Sequence, residues 1–324
     1  MPSDIIKIGN FNLYNLVGKG KKFYGRQYSE KHHKRKVDWI SEQLQAMRAD
    51  IIGFQEIFHA EPLKEAVQPI DRLRNGHYAF AKVDGRLPRV GLLSRYPIVK
   101  QDVYEDFPVQ LNINNTEIPI KKFSRPVLRA ELQIRPDLHF VVFVVHLKSK
   151  RPDLMENETR ENHQHLAIGQ ARSLIRRAAE ATALRALLLE DLQRKNTPVI
   201  VMGDVNDSGL AVTTRILSGE PPHRRFPQDV KEEIWDVLLY HARDIQARQS
   251  FHDFYYTHIH NGHHEALDHI MVSQELVGQN PDRVGRIGYV KVFTDHLVDE
   301  TLSKDKILPW KSDHGQVVAT VELD

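Results

Sequence analysis

The sequence of 324 residues contains no cysteine. This absence excludes disulfide bonds, thiolate-bound zinc, iron–sulfur clusters and thiol nucleophiles, so any metal ion must be held by oxygen atoms or imidazole rings. Long apolar runs are lacking as well. The most hydrophobic stretch, residues 140–145, is unbroken for only six residues, whereas a transmembrane helix needs roughly 18. The composition therefore predicts no membrane-spanning helix.

A large excess of charge of either sign is also absent. The chain has 45 lysine and arginine residues against 43 aspartate and glutamate residues, a formal net charge of +2. A polyanionic partner such as nucleic acid would therefore have to meet a local basic patch. Residues 1–4 show neither the basic nor the apolar region of a signal peptide. We expect a cytoplasmic protein, or a secreted one if a leader has been removed from the chain.

Apolar periodicity predicts strands and helices along the whole chain. The predicted strands cover residues 5–13, 51–54, 140–145, 198–202, 266–272 and 316–321, and the predicted helices cover residues 37–47 and 162–194. Residues 90–98 are predicted to form a strand followed by a turn. The order of strand, long helix and strand between residues 140 and 202 predicts a crossover between parallel strands. Residues 149–162 and 218–229 are polar or proline-rich and are predicted to be loops.

Neither of these loops separates two halves of different composition, and the candidate functional residues lie near both ends of the chain. One domain must then fold the two ends together. We therefore expect a single α/β domain over residues 1–324 rather than two domains.

Polar residues recur at the ends of the apolar runs. They are Asn12, Glu56, His146, Asp204, Asn206, Asp268, Asp313 and His314. A single acid after a strand is usually a cap or a turn residue. Several such ends in one sheet would instead meet at a common rim, so we expect these side chains to form one site.

Carboxylate and amide oxygens without thiols favour Mg²⁺, with Mn²⁺ and Ca²⁺ as alternatives. Histidines beside aspartates suggest activation of water, because a ring held by a carboxylate at one nitrogen can take a proton at the other. Asp268 and His314 are the pair we expect to act in this way.

These segments, taken in order, resemble the successive motifs of the endonuclease/exonuclease/phosphatase superfamily. The resemblance extends over essentially the whole chain. The matching segments are residues 11–16 (Phe-Asn-Leu-Tyr-Asn-Leu), Gln55-Glu56, residues 91–98, residues 146–150 (His-Leu-Lys-Ser-Lys), residues 203–207 (Gly-Asp-Val-Asn-Asp), residues 267–270 (Leu-Asp-His-Ile) and residues 312–314 (Ser-Asp-His).

The resemblance implies a four-layer α/β sandwich related to deoxyribonuclease I, with two central mixed β-sheets flanked by helices. It also implies metal-dependent hydrolysis of phosphodiesters or phosphomonoesters. Among the metal residues, it makes Glu56 the main ligand and places Asn12 and Asp313 nearby in the metal shell.

The resemblance likewise implies roles for the residues that move protons or bind the phosphate. Asp204 would be the acid or base at the attacking water, and Asn206 a donor to the scissile phosphate. His314, oriented by Asp268, would be the second general base or a phosphate contact, and His146 the general acid or a phosphate-binding histidine. Which of these groups is the general base differs among members of the superfamily.

The resemblance leaves several substrate classes open. The forms of residues 11–16 and 146–150 look most like the bacterial nuclease branch, so we expect a metal-dependent nuclease acting on DNA, with RNA as an alternative. The alternative enzyme is a phosphodiesterase or phosphatase acting on lipids or small phosphorylated substrates. A binding module without catalysis is disfavoured, because all the central acids and histidines are present. The mode of cleavage, the number of metal ions and the oligomeric state are not indicated by any motif.

Three further segments have two interpretations each. Residues 18–36 carry eight lysine or arginine residues among Phe23, Tyr24 and Tyr28, which suits either a nucleic-acid contact or a solvated face. The second segment contains His258, His260, His263 and His264 and would border the cleft or, less expectedly, bind zinc or copper. The third contains Arg125 and Arg129, which would hold phosphate or pair with acids.

Overall fold

The structure is a computed structural model that describes residues 5–193, 195–249, 255–260, 262–300 and 305–324. The strands are β1 Ile5–Leu16, β2 Lys22–Phe23, β3 Arg26–Gln27, β4 Ile51–Ile57, β5 His77–Phe80, β6 Arg89–Ser94, β7 Ile98–Asp106, β8 Asn112–Ile113, β9 Thr116–Glu117, β10 Lys122–Arg135, β11 Leu138–His146, β12 Val199–Asp204, β13 Tyr240–His241, β14 His258–His260, β15 His263–Glu265, β16 Asp268–Val272, β17 Gly285–Phe293 and β18 Gln316–Leu323. The α-helices are α1 Glu30–Met47, α2 Glu61–Val67, α3 His163–Leu192, α4 Val212–Ser218, α5 Gln228–Asp236 and α6 Ala242–Gln249, and a 3₁₀ turn covers Gln274–Leu276. Among the described residues, no helix combines the length and the hydropathy that a membrane span requires.

Two six-stranded sheets form the centre of the fold. The first has the strand order β17-β18-β1-β4-β6-β5, and the second has the order β13-β16-β12-β11-β10-β7. Each sheet mixes parallel and antiparallel neighbours: β1 is parallel to β4 and antiparallel to β18, and β11 is parallel to β12 and antiparallel to β10. The pairing of β1 with β18 joins the two ends of the chain, as a domain with functional residues at both ends requires.

Three apolar clusters separate four layers. One lies between the sheets, one between the first sheet and helices α1 and α2, and one between the second sheet and helices α3 and α4. This is the expected four-layer sandwich with two mixed sheets flanked by helices, so the predicted fold class is confirmed. Helix α3 connects the parallel strands β11 and β12, which confirms the predicted crossover.

The side chains of β1 alternate between two apolar clusters, one between the two sheets and one between the first sheet and helix α1. Ile6 and Ile8 face the second sheet, whereas Phe11 and Leu13 face helix α1. The predicted strand over residues 5–13 continues to Leu16. Because strand residues alternate between faces, Asn10 and Asn12 continue the face of the two isoleucines. The strand therefore directs two buried amides toward the space between the sheets.

Helix α1 begins before residue 37, where the apolar periodicity placed its start. Ser29 caps the helix by accepting a hydrogen bond from the backbone N–H of His32, and the left-handed residue Arg48 ends it. The first two turns of the helix carry mostly charged side chains, so they lack the apolar periodicity that predicts a helix. The capping serine was the available signal.

Gly203, next to last in β12, has no room for a side chain. Its φ is 155°, and a Cβ atom there would lie 2.1 Å from the carbonyl oxygen of Val145 on the neighbouring strand. The strand cannot shift to relieve the contact, because β11 and β16 hold it on both sides. A glycine is therefore required immediately before Asp204.

We expect Gly203→Ala to lower the free energy of unfolding by roughly 2–4 kcal/mol. Urea unfolding followed by circular dichroism measures this loss. Gly278→Ala is the matched control, since the nearest atom to its Cβ would be 3.8 Å away, and it should unfold at the parent midpoint. Equal midpoints for the two variants would show that β12 tolerates a side chain at residue 203.

Candidate active site

Three polar side chains lie in a row at one end of the second sheet. The parallel pairing of β11 with β12 places His146 opposite Asp204, and the antiparallel pairing of β12 with β16 places Asp268 on the other side of Asp204. All three are buried. Nε2 of His146 lies 3.4 Å from Oδ2 of Asp204. The register of the sheet thus brings together residues that are far apart in the sequence.

The first sheet contributes amides to the same row. Asn12 donates from Nδ2 to Oδ2 of Asp204 over 3.1 Å, and Asn10 donates from Nδ2 to Oδ1 of Asp268 over 3.3 Å. Asn10 is itself held by Gln55, whose Nε2 donates to its amide oxygen over 2.8 Å. These bonds link the two sheets where the apolar core between them ends.

The loop before β18 completes the row. Ser312 donates to the carbonyl oxygen of Asn12 over 2.8 Å and accepts the backbone N–H of His314 over 3.0 Å. Nδ1 of His314 lies 2.7 Å from Oδ2 of Asp268, and its Nε2 lies 3.8 Å from Oδ2 of Asp204. His314 is therefore fixed by one aspartate and directed at the other, as expected for the Asp268–His314 pair.

The buried row shifts the protonation of its members. Burial raises the pKa of Asp204; the nearby charge of His314 opposes this rise, and the Asp268 carboxylate adds to it. Burial would lower the pKa of His314, but Asp268 and Asp204 outweigh it and hold that pKa well above its ordinary value. Burial, together with Arg125 and His314, lowers the pKa of His146 well below its usual range. The site thus favours a charged His314, a neutral His146 and an Asp204 able to exchange a proton.

Asn206 lies directly beside this centre. Its backbone is left-handed, with a φ of 55°. The backbone N–H donates to Oδ1 of Asp204 over 2.9 Å, and the side-chain Nδ2 donates to the carbonyl oxygen of Leu147 over 3.1 Å. Asn206 therefore holds the Asp204 carboxylate through its backbone and links it to the segment after β11.

Glu56 and Asp313 form the part of the site that suits a cation. Glu56 has a φ of 63°, and its Oε2 accepts the backbone N–H of Asn15 over 2.9 Å. Burial raises the pKa of Glu56, and the Asp313 carboxylate raises it further. Oδ1 of Asp313 is buried with no hydrogen-bond partner among the described residues. Carboxylate oxygens, one of them unpartnered among the described residues, are the kind of donor that Mg²⁺ and Mn²⁺ prefer.

Asn12, the third residue expected in the metal shell, is already engaged. Its Oδ1 accepts the backbone N–H of Tyr14 over 3.0 Å, while its Nδ2 holds Asp204. The amide oxygen keeps a second lone pair for a cation. Asn12 therefore contacts both Asp204 in the buried row and the backbone of Tyr14 near the end of β1.

Lys36 is a site residue that the sequence analysis grouped with the basic segment. It is 1% exposed, and its Nζ donates to the carbonyl oxygen of Tyr14 over 2.9 Å. The rings of Tyr14 and Tyr28 each lie 5.7 Å from Nζ. Burial lowers the pKa of Lys36 to about 8, against the attraction of Glu56 and Asp313. Lys36 lies one turn before Ile40, on the buried face of α1. This position was the sequence signal that could have revealed its burial.

The histidine-rich segment forms a hairpin, β14–β15, that borders the site. The ring of His258 lies 5.0 Å from that of His314, and its Nδ1 lies 2.9 Å from the carbonyl oxygen of Asp313. Ligand atoms of His258, Asp313 and His314 fall within 4.8 Å of one another. Across the described residues, the other histidines of the hairpin belong to no such group. The observed geometry matches the expectation that this segment borders the cleft.

Arg125 and Arg129, both in β10, make different contacts. Arg129 is buried and donates to both carboxylate oxygens of Asp191 over 2.6 and 2.8 Å, with Asp102 also within 3.3 Å. It pairs with acids. Arg125 instead lies at the site, where its Nη1 donates to the carbonyl oxygen of Leu147 over 3.2 Å. Its Nε is buried and has no partner among the described residues.

Two buried histidines, His241 in β13 and His269 in β16, contact each other next to Asp268. His269 follows Asp268, and its Nε2 donates to the carbonyl oxygen of Asp207 over 2.9 Å. Its Nδ1 is therefore the acceptor, 3.3 Å from the Nδ1–H of His241. Burial lowers the pKa of His241 to about 3, and His269 and Arg243 add to that effect. This pair requires both rings to be neutral.

The His241 pair should make the protein sensitive to acid. Because the unfolded chain takes up the His241 proton at a higher pH than the folded protein, stability is retained above about pH 6.5. It is lost as the pH falls toward 3, by up to about 1.4 kcal/mol per pH unit. We expect His241→Asn, which keeps a donor for His269, to flatten this loss. Urea unfolding at pH 7.5, 5.5 and 4.5 measures it.

The exposed His77 provides the control for this experiment. His77→Asn should follow the parent profile throughout. An unchanged acid dependence in His241→Asn would show that protonation of another group destabilises the fold.

Comparisons with known proteins agree with this geometry. The family model described as Endonuclease/Exonuclease/phosphatase family matches residues 10–314. A search of proteins with curated functions finds no match. The chain is similar to the structure of truncated Caenorhabditis elegans TDP2, with 17% identity, a TM-score of 0.55 and coverage of 98% of this chain and 97% of that chain.

Two further solved structures share the fold over their whole length. The human Nocturnin catalytic domain has 14% identity, a TM-score of 0.55 and full coverage of both chains. A mannosyl-6-phosphatase from Bacteroides thetaiotaomicron has 16% identity, a TM-score of 0.57 and coverage of 98% of this chain and 99% of that chain. The family match confirms the resemblance found in the motifs. The chain belongs to the endonuclease/exonuclease/phosphatase family, whose members are enzymes that hydrolyse phosphate esters.

Proposed function

We propose that this protein is a divalent-metal-dependent phosphodiesterase that cleaves nucleic acid, with DNA as the leading substrate. The observation that carries the proposal is the environment of one oxygen, Oδ2 of Asp204. It accepts a hydrogen bond from Asn12 over 3.1 Å, and the Nε2 atoms of His146 and His314 lie 3.4 and 3.8 Å away. A carboxylate held between two imidazoles suits proton transfer to and from water.

The cation would be held by Glu56 and Asp313, with the amide oxygen of Asn12 beside them. A bound Mg²⁺ or Mn²⁺ supplies positive charge that polarises the phosphate and stabilises the leaving oxygen. Burial raises the pKa of Glu56, and repulsion by the Asp313 carboxylate raises it further, so a cation at this point would offset both effects. Mg²⁺ is our first choice because every donor is an oxygen atom.

The residues of the row would divide the proton transfers among them. Asp204 takes the proton of the attacking water, since burial raises its pKa and makes it a stronger base than an exposed carboxylate. His314 has one nitrogen occupied by Asp268, so its Nε2 faces the phosphate. The neutral His146 lies on the other side of Asp204 and would bind the phosphate, because a neutral imidazole does not readily release a proton, whereas the charged His314 would protonate the leaving oxygen.

Basic side chains around the site support nucleic acid as the substrate. Lys21, Lys22 and Arg26 are exposed in the segment after β1, and Arg151 is exposed after β11. The same centre also suits phosphomonoesters. Because one similar structure is a mannosyl-6-phosphatase, sugar phosphates are the appropriate comparison substrates.

The proposal predicts metal-dependent cleavage that depends on His146. Supercoiled plasmid, single-stranded DNA, RNA and mannose 6-phosphate are each incubated with the protein in Mg²⁺, Mn²⁺ or EDTA. We expect nucleic-acid cleavage that EDTA abolishes, because Glu56 and Asp313 need a cation between them. His146→Ala, Asp204→Asn and His314→Ala should each lose roughly 10²–10⁴-fold in rate, the usual contribution of a general acid or base.

The matched control for His146 is His139, a histidine at the other end of β11 that pairs with Glu131. His139→Ala should cleave at the parent rate. Intact nucleic acid under every metal condition, together with released phosphate from mannose 6-phosphate, would replace the nuclease proposal by a phosphatase function.

The proposed metal site predicts a thermal shift that does not depend on catalysis. Millimolar Mg²⁺ or Mn²⁺ should raise the Tm, because a ligand of the folded state stabilises it by mass action. Glu56→Gln should remove this rise, whereas Glu117→Gln in the exposed hairpin β8–β9 should retain it. A metal-dependent rise of equal size in Glu56→Gln would place the cation elsewhere.

A further inference from the structure

An exposed tyrosine occupies the tip of a hairpin beside the site. Strands β2 and β3 pair Lys22 with Gln27 and Phe23 with Arg26, which leaves Tyr24 and Gly25 as a two-residue turn. Their φ values are 44° and 72°. Such turns strongly favour asparagine or aspartate before the glycine. A bulky residue with a positive φ is unusual, and such outliers cluster where function requires them.

The ring of Tyr24 is both exposed and supported. The residue is 65% exposed, and its ring meets that of Phe58 nearly edge-on, with centroids 5.6 Å apart at 88°. Phe58 is buried and follows β4 two residues after Glu56. The ring of Phe23, the preceding residue at the end of β2, lies 6.4 Å away. Tyr24 is thereby held at the rim, next to the element that carries the proposed metal ligand.

The other aromatic residues of the segment are committed to internal contacts. The ring of Phe23 lies 4.8 Å from that of Tyr28 and 6.0 Å from that of Phe58. Tyr28 donates its hydroxyl to the carbonyl oxygen of Asn15 over 3.1 Å. Within this hairpin, Tyr24 is thus the aromatic side chain with a large exposed area.

Cations lie near the same ring. Partial burial and the Glu56 carboxylate raise the pKa of Tyr24, while Arg125 and Arg151 oppose that rise. The Tyr24 hydroxyl is therefore within electrostatic reach of the proposed metal site and of two guanidinium groups. Arg151 is exposed, and Arg125 retains an Nε without a partner among the described residues. An aromatic ring among phosphate-binding cations is the arrangement that proteins use for single-stranded nucleic acid.

We propose that Tyr24 forms a nucleobase-binding subsite in which an unpaired base next to the scissile phosphate stacks on its ring, while Arg125 and Arg151 contact the flanking phosphates. The inference rests on the proposed nuclease function and names its substrate class, single-stranded or locally unpaired nucleic acid. Stacking on a tyrosine requires the face of the base to be free, so a continuous duplex does not fit the subsite.

Because Tyr24 lies in a left-handed turn, a suitable substitution can remove its ring without disturbing the backbone of the hairpin. Tyr24→Asn removes the ring but suits the positive φ, because asparagine adopts this conformation readily. Tyr24→Trp keeps a stacking surface. Tyr289→Asn is the matched control, since Tyr289 is 51% exposed on the edge strand β17.

The test measures binding and cleavage of a short single-stranded oligonucleotide. In a His314→Ala background, 2-aminopurine in the oligonucleotide reports stacking by quenched fluorescence. We expect Tyr24→Asn to remove the quenching and weaken binding by roughly 5- to 150-fold, the usual effect of losing one base–aromatic stack. In the active protein, the same change should raise KM much more than it lowers kcat. Tyr24→Trp and Tyr289→Asn should behave like the parent.

An oligonucleotide with an abasic nucleotide at the cleavage position provides a second readout. The parent should prefer the intact strand, and Tyr24→Asn should treat both strands alike. If Tyr24→Asn keeps the preference of the parent while cleavage continues, the stacking subsite is overturned and the nuclease function stands. If the parent cleaves no nucleic acid in any metal, the proposed function itself fails and the subsite fails with it.

Discussion

The hydrogen bond from Asn12 to Asp204 joins the two central sheets at the edge where the site lies. Asn12 belongs to β1 in the first sheet and Asp204 to β12 in the second. On the same face of β1, Ile6 and Ile8 pack in the apolar core between the sheets. The interior thus changes from apolar to polar along a single strand. In the proposed mechanism, proton transfer takes place at this boundary, where the hydrogen bond between the sheets holds Asn12 against Asp204.

Burying so many polar groups is costly unless each has a partner, since an unpaired buried charge destabilises a protein strongly. In the site, the buried polar groups are each other's hydrogen-bond and ion-pair partners. The charged ring of His314 lies between Asp268 and Asp204. Asp268 also accepts from Asn10, and its backbone N–H donates to Thr257. Oδ1 of Asp313 is an exception, since it is buried without a hydrogen-bond partner among the described residues, which is consistent with the proposed role of Asp313 as a ligand of the cation.

Backbone strain is concentrated in the same region. Tyr14, Asn15, Glu56 and Asn206 are all left-handed. This conformation costs about 1–2 kcal/mol each for Tyr14 and Glu56, and less for the two asparagines, which adopt it more readily. The strain persists because hydrogen bonds fix each turn, as the bond from Asn15 to Glu56 shows. A relaxed β4 would direct the Glu56 carboxylate to the other face of the strand. Part of the stability of the sandwich is therefore used to direct the site residues.

The sequence predicted the sandwich, and its strand ends indicated polar residues that the structure brings together, because both follow from regular patterns. Apolar alternation marks the strands, and polar residues at the strand ends mark the rim. The left-handed turn at Glu56, the burial of Lys36 and the His241–His269 pair were not predicted. Each depends on contacts between distant segments, as when Lys36 binds the backbone of Tyr14. A local pattern can indicate that Lys36 is buried, but it does not identify its partner.

The near-neutral total charge does not conflict with a polyanionic substrate, because the charges are separated in space. Several cations neutralise acids inside the fold, as Arg129 does for Asp191 and Arg177 for Asp207. The acids of the site lie at its centre, and exposed cations such as Lys22 lie at its rim. In the proposed function, hydrolysis depends on the centre, which the joined sheets fix. Substrate choice would then depend on loops and hairpins such as β2–β3, which can change without disturbing the strands.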